Sequence, residues 1–587
     1  MGREPPSLLE KRATLTDQLR ESPYNPEIYL ERALCHELLG FPDLAVGDAY
    51  KALLLTDEVS DDSGEYHGAT VEAISKANHI PDGSEGHGDV DSDDTAGADA
   101  TSIHSNGKPV RKHSGGEIEK SLMEDIARYS ARRAFVVLTR TLSSCGCLRS
   151  AFDFSETGLR AFPNYLRLQQ LQDKIVDTWK RDQQRKDRAC DPSAFDPRND
   201  LPENGSVRRE LYPWNKHEPN RFSPSSLSSL NISMRRVAPK CEVRTVSLPL
   251  LTEESLDQRA KIEAQEVVQL GIFATEDIAP HETVLRESSL LAANNRLHEP
   301  LCDCCSGPLP SLSLSDESLP TCPSCDDTVF CSHACSRAAQ SFYHPAVCGK
   351  PDFDILAKDP SRAAASNALY LLLIARTFAL SETQKIHPLE LAETKYLWGD
   401  FVPSGATDLH SASTSTSSAS RNLPFTFHDN IAGPLHVLEK MDVNIFTSFG
   451  KYDTWVLNTL YAKFRATASA RLSTKDGGPE VCAVHPMWCL ANHSCAPNVQ
   501  WEWAGEIRFV ARGEAEVAKW QGMGGREWGK GIKKGEQILN HYCDVDLGMK
   551  ERREWAAGAL GGICLCERCF WEEQEERKQG KGGKDRD

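Results

Sequence analysis

"ANHSCAPN", residues 491–498, packs an imidazole, a hydroxyl and a thiol between two asparagines and closes on proline. It is too polar for a core strand and too crowded with donors for a plain linker. One thiol does not make a metal site, because tetrahedral Zn²⁺ takes four ligands. "GGICLCERCF", 561–570, supplies three more in a C-x-C-x2-C run: Cys564, Cys566 and Cys569. Cys495 is the natural fourth ligand. The quoted turn is therefore expected to be clamped by a metal to the C-terminal segment.

Upstream the same logic is stronger. Residues 302–348 carry Cys302-x2-Cys305, Cys322-x2-Cys325, Cys331-x3-Cys335 and His344-x3-Cys348, which is eight soft donors in 47 residues. Two residues between cysteines let a tight turn present both sulfurs to one ion, and eight ligands make two sites. So short a segment has no core of its own, so bound metal must supply much of its folding free energy. Cys304 is left over as a bystander thiol.

The remaining numbers bound the setting. The chain has 587 residues, 40% of them hydrophobic, enough for about three or four domains with sizeable cores. Its formal charge of −18 argues against a general nucleic-acid binder and suits basic partners. The opening "MGREPPSLLEKRATL" has no apolar run of signal or membrane length, and Pro6 breaks the myristoylation pattern. No membrane partner is expected, and the nucleus or cytoplasm is the expected compartment. Disulfides are rare there, so the 20 cysteines call for metal.

Residues 25–55 read as two helices around Gly40-Phe41-Pro42, with Tyr29, Ala33, Ala45, Ala49 and Ala52 spaced for a close crossing. Phe135, Leu138, Gly146, Ala151, Gly158 and Pro163 repeat that pattern over 131–163. Both stretches resemble tetratricopeptide repeats, with an ordinary helical hairpin as the alternative. Flanking helices near 7–20 and 164–182 would complete the stack. Residues 57–107 hold thirteen Asp or Glu against one Lys, so 57–118 is expected to be a disordered acidic insertion. A Pro-, Ser- and Asn-rich linker is expected over 186–259, a flexible loop over 410–421 and a disordered tail over 573–587.

Three ordered motifs bring a family into view. "NHSCAPN" (492–498), "GEQILNHY" (535–542) and the C-x-C-x2-C run resemble the signature of SET-domain protein lysine methyltransferases. "GIFATEDIAPHETVLRES", 271–288, looks like the opening strand pair of that domain, and 302–348 resembles a MYND zinc finger. The chain is accordingly identified as resembling the SET-and-MYND family, in its tetratricopeptide-containing, fungal-type subgroup. The likeness covers about 265–570.

The resemblance implies an α+β fold, with a SET β-core and pseudoknot split by the finger. The parts would be a helical region over 1–56 and 119–185, SET segments over 260–301 and 481–545, and the finger over 302–348. A helical insertion would span 349–480 and a zinc segment 546–572. One zinc would sit on Cys302, Cys305, Cys331 and Cys335, a second on Cys322, Cys325, His344 and Cys348, and a third on Cys495, Cys564, Cys566 and Cys569.

By the same resemblance S-adenosylmethionine would lie against Gly271, Ile272, Phe273, Asn492 and His493, with Asn458 a further contact. Tyr542 would aim its hydroxyl at the methyl group and the incoming amine, with His541 a neighbour rather than a base. The substrate would be a lysine-bearing protein, histone or other, and finger and repeats could bind peptides. No sequence-specific nucleic-acid binding is expected, because neither metal cluster sits on a basic helix.

The chain departs from the family in three places. Gln269 stands where the first glycine of Gly-x-Gly belongs. Leu560 to Ile563 replace the aromatic residues that line the lysine channel. "KWQGMGGREWGKGIKK", 519–534, lengthens a hairpin tip. The rival reading is a MYND and tetratricopeptide interaction scaffold on an inactive SET fold, and cofactor binding separates the two.

Overall fold

In the computed structural model, residues 7–78, 115–185, 195–249, 266–297, 300–310, 319–325, 328–350, 353, 355–401, 422–520, 523, 529–560 and 562–582 are described. They form a mixed helix-and-sheet chain in two compact units, Met1–Gly205 and Ser206–Asp587.

The first unit is helical: α1 (Leu8–Glu21), α2 (Pro26–Leu38), α3 (Pro42–Ser60), α4 (His67–Ala77), α5 (Gly115–Cys145), α6 (Leu148–Ala161) and α7 (Leu166–Arg185). Local chemistry sets the boundaries. Ser7 and Glu10 form a capping box on α1, and Asn25 caps α2 ahead of Pro26. Gly40 and Gly146 close α2 and α5 at φ of 83° and 85°, a region that favours glycine. Gly158 on α6 allows a close crossing, since a Cβ there would meet Leu168 at 2.8 Å and Phe135 at 2.9 Å.

Inside this unit Arg32 is fully buried and grips Asp48, Nε to Oδ2 at 2.9 Å and Nη2 to Oδ1 at 2.6 Å. His36 lies 3.0 Å from the same carboxylate. Burial alone would raise the pKa of Asp48, yet Arg32 and His36 hold it well below the carboxylate range.

The second unit supplies strands β1 (Cys241–Pro249), β2 (Glu266–Ala274), β3 (Thr283–Ser288), β4 (Ala292–Asn294), β5 (Ser469–Leu472), β6 (Pro479–Ala483), β7 (Asn492–His493), β8 (Val499–Trp503), β9 (Glu506–Ala511) and β10 (Gln537–Asn540). They build sheets of order β1-β2-β10-β7, β8-β9-β3 and β4-β6-β5. All pairings are antiparallel except β10 with β7, where Leu539 faces Asn492 and Asn540 faces His493. Leu270, Ile272, Val243, Ile538, Ile507 and Phe509 share one buried core with Trp488. Helices Ala365–Gln384, Gly433–Lys440 and Thr454–Thr467 fill the stretch between the cysteine-rich segment and β5.

Three sequence expectations are corrected. The insertion expected to be disordered over 57–118 includes the end of α3 and all of α4, because Ile74 buries against Val59, Met123 and Ala127 despite the acidic composition. Its residues 79–114 lie outside those described. The expected linker over 186–259 contains a helix, Pro224–Val237, whose Leu230 and Met234 pack into the core with Cys241 and Val243 of β1. There the apolar stripe was diluted by serine and proline. The charged tail expected after 572 continues a helix, Glu567–Gly582, braced by Arg568–Glu572 and Arg577–Glu573 pairs one turn apart. The loop expected over 410–421 lies outside the described residues.

Candidate functional site

The structure gathers the twelve cysteine and histidine positions into three groups of four. Cys302, Cys305, Cys331 and Cys335 form one group; Cys322, Cys325, His344 and Cys348 the next; Cys495, Cys564, Cys566 and Cys569 the third. Within each group the ligand atoms lie within 4.8 Å of one another. Metal–sulfur bonds of about 2.3 Å in a tetrahedron place sulfurs roughly 3.8 Å apart. Cys331 and Cys335 stand at 3.6 Å, Cys322 and Cys348 at 3.7 Å, and Cys495 and Cys564 at 3.9 Å. These spacings fit a tetrahedral soft-metal ion such as zinc and are far too long for disulfides. Cys304 is buried outside the groups, and its carbonyl accepts from Arg376.

Arg376 also donates to the Asp303 carbonyl at 2.6 Å and lies 3.8 Å above the Tyr343 ring. It thus ties the helix Ala365–Gln384 to the cysteine-rich segment. Nothing local in the sequence marked it.

The third group is joined to a polar turn. Ser494 donates its N–H to the Asn540 carbonyl at 2.7 Å, and Asn498 bonds both the Gln537 carbonyl and the Leu539 N–H at 2.8 Å. The chain around 492–498 is therefore stitched along β10. Arg568 donates to the carbonyls of Cys495 and Val545 at 2.8 Å, closing the C-terminal helix over the same turn.

His493 lies between the metal group and Tyr542. Its Nδ1 accepts the Tyr542 N–H at 3.0 Å, which puts the ring proton on Nε2, 3.3 Å from Cys495 Sγ. Burial lowers His493 to about 4, so the ring is neutral. His493, Cys495 and Cys543 also lie within metal-ligand reach of one another. With Nε2 carrying the proton, His493 is a hydrogen-bond donor to the Cys495 sulfur rather than a further ligand.

The Tyr542 hydroxyl donates to the Ala491 carbonyl at 2.9 Å, and burial raises the phenol above its ordinary range. His541 stacks on Trp501 at 5.9 Å, and burial lowers it as well.

Gly271 opens a cradle. A Cβ there would meet Gln537 Nε2 at 2.6 Å, Asn492 Nδ2 at 3.1 Å and the Phe273 ring at 3.2 Å. Asn492 Nδ2 donates to the Leu270 carbonyl at 2.9 Å, whereas the buried Gln537 Nε2 has no partner. Ile272 points the other way, into the core. Asn458 is placed apart: it is buried in the helix Thr454–Thr467, where it accepts from Asn430 and donates to the Tyr212 hydroxyl, each at 3.5 Å. Neither partner belongs to the group around Asn492 and Tyr542.

Glu287, at the end of β3, was not singled out in the sequence. It is buried and accepts the N–H groups of Met487 at 3.0 Å and Trp488 at 2.8 Å. Burial pushes its carboxyl up to about 7, against those two bonds. It caps the short turn that leads into Asn492.

A scan against protein-family models finds no match for the chain, and a search of curated proteins finds none. Among the described residues no helix is long and apolar enough to cross a membrane.

Proposed function

We propose that the chain is a SET-and-MYND protein lysine methyltransferase, in which a zinc finger over 302–348 interrupts a SET β-core and tetratricopeptide-like repeats precede it. It would transfer a methyl group from S-adenosylmethionine to a lysine side chain of a histone or another protein, in the nucleus or cytoplasm. The observation that carries this reading is the convergence of Asn492, His493 and Tyr542 on one turn, tethered through Cys495 to the terminal cysteine triplet. Zinc is the ion proposed for all three groups, in closed structural sites without an open ligand position.

The residues fit the cofactor. Gly271, lacking a side chain, lets Asn492 and Gln537 come close to its backbone, and Gln537 brings an amide donor in need of an acceptor. Bound S-adenosylmethionine would supply a methyl group on a sulfonium, already activated toward an amine. The protein's share is then positioning, worth several kcal/mol of barrier. Tyr542 spends its proton on Ala491, so its oxygen lone pairs remain to accept an N–H from the incoming lysine. With its phenol raised by burial, Tyr542 stays protonated and orients the amine rather than deprotonating it.

The second reading, an interaction scaffold on an inactive SET fold, draws on the buried Tyr542 hydroxyl already engaged by Ala491 and on Gln269 in the opening strand. One assay separates the two. Zinc-loaded protein is given methyl-labelled S-adenosylmethionine and histones, with Tyr542→Phe alongside. Transfer by the wild type and a roughly 100-fold loss in the variant support the enzyme. A folded, zinc-loaded wild type that neither binds the cofactor nor transfers its methyl group supports the scaffold.

A further inference from the structure

Arg209 is a buried cation with too little negative charge around it. Its side chain is 10% exposed, and its Nε is buried without a hydrogen bond. Its ion pair with Asp400 is long, Nη1 to Oδ2 at 3.9 Å. Burial lowers its pKa; Asp400 works against that, and Arg465 brings a like charge from nearby. A guanidinium does not give up its proton in a protein. A buried one therefore needs a counter-ion.

Arg465, in the last turn of the helix Thr454–Thr467, repeats the pattern. Its Nη2 donates to Asn367 Oδ1 at 3.0 Å, its guanidinium lies 4.4 Å over the Tyr370 ring, and its Nε is again buried with no partner. The neighbours supply little negative charge. Burial pushes the Tyr370 phenol and the Cys482 thiol each up to about 12, so both keep their protons. Asn367 gives its amide nitrogen to Asp429 Oδ2 at 2.8 Å, so it links that carboxylate to Arg465 only through an uncharged amide. Asp400, 32% exposed, is then the one carboxylate paired with either arginine among the described residues.

Two neighbouring guanidinium groups thus share one distant carboxylate and keep two buried Nε–H groups unspent. Water would satisfy those hydrogen bonds but not the charge. An oxyanion satisfies both, because the arginine fork matches pairs of phosphate oxygens and a tetrahedral ion presents such pairs in more than one direction.

We propose that Arg209 and Arg465 form a binding site for a phosphate-class oxyanion, with Asp400 as the resident competitor that the anion displaces. The ligand is a phosphoryl group, either the free ion or a monoester. The site does not depend on the methyltransferase reading, and none of its residues belongs to the group around Asn492, His493 and Tyr542.

The test is calorimetric titration of the zinc-loaded full chain with inorganic phosphate and with O-phosphoserine, at an ionic strength held constant with chloride. Saturable binding of phosphate to the wild type is expected. Arg209→Met and Arg465→Met should each weaken it roughly tenfold or more, the worth of a charge-assisted hydrogen bond. Asp400→Asn, which removes the competitor, should tighten it by roughly the same factor. Thermal melts give a second readout. In chloride Arg209→Met should melt no lower than the wild type, since it removes a poorly paired buried charge. Phosphate should raise the melting temperature of the wild type and leave that of the variant unchanged. Phosphoserine binding as tightly as phosphate assigns the site to monoesters, and binding of phosphate alone assigns it to the free ion. No saturable binding of either compound to folded wild type, or binding undiminished in both arginine variants, overturns the site. So does an Arg209→Met variant that melts well below the wild type by the same margin in chloride and in phosphate, because Arg209 would then be a structural residue.

Discussion

His493 accepts the main-chain N–H of Tyr542 on Nδ1 at 3.0 Å and presents Nε2–H to Cys495 Sγ at 3.3 Å. One imidazole thus joins the proposed catalytic tyrosine to a proposed zinc ligand. Groups that bond to a metal ligand usually orient it and tune it. Here the influence would also run outward, because a metal on Cys495 would hold the sulfur that fixes the ring that fixes Tyr542.

Metal loss should therefore disable the site. Purified protein is expected to carry close to three zinc ions per chain, matching the three four-ligand groups. Cys495→Ser should lower that count by one and lose cofactor binding while the helical unit keeps its melting transition. Emission spectrometry and circular dichroism check this, and zinc content near zero in folded protein would remove the cluster assignments.

Gly271→Ala probes the cradle. Its added methyl would sit 2.6 Å from Gln537 Nε2 and 3.1 Å from Asn492 Nδ2, the far ends of two flexible side chains. Both can swing aside, so stability should fall by about 1 kcal/mol or less. Cofactor affinity should drop at least tenfold, as read by titration calorimetry.

Glu287 gives stability a pH dependence of known sign. Its folded value near 7 lies above the ordinary 4.5, so its contribution is full below 4.5 and is lost as pH rises through 7. The difference amounts to about 3 kcal/mol. In Glu287→Gln an amide oxygen in place of Oε2 can still accept from Met487 and Trp488, which lie 3.2 and 2.8 Å from that atom. Urea midpoints at pH 5 and pH 8 should differ less in the variant than in the wild type.

Asp48→Ala should strip Arg32 of its buried partner. Removing one member of such a pair typically costs about 3–5 kcal/mol, because the other charge stays buried. The loss should fall on the unit Met1–Gly205, seen as an early melting transition, with the metal groups of the other unit intact.

The metal groups were legible because ligand spacing is local chemistry: C-x2-C and C-x-C-x2-C carry their geometry in a few residues. The helical region was legible from Ala, Gly and Pro placed where helices cross or end. What escaped was non-local or hidden by composition. Glu287 lies 200 residues from the Met487 N–H it caps, and no pattern in either stretch points to the other. Arg209 lies in a region whose serines and prolines masked a helix and a strand. Asn458, expected as a further cofactor contact, has Asn430 and Tyr212 as side-chain partners, and no local pattern in the sequence pointed to either.

The most direct measurement is calorimetric titration of S-adenosylmethionine into zinc-loaded protein, with Asn492→Ala beside it. The account predicts saturable binding to the wild type, weakened at least tenfold in the variant. A folded protein with three zinc ions that shows no heat of binding would contradict it and leave the scaffold reading.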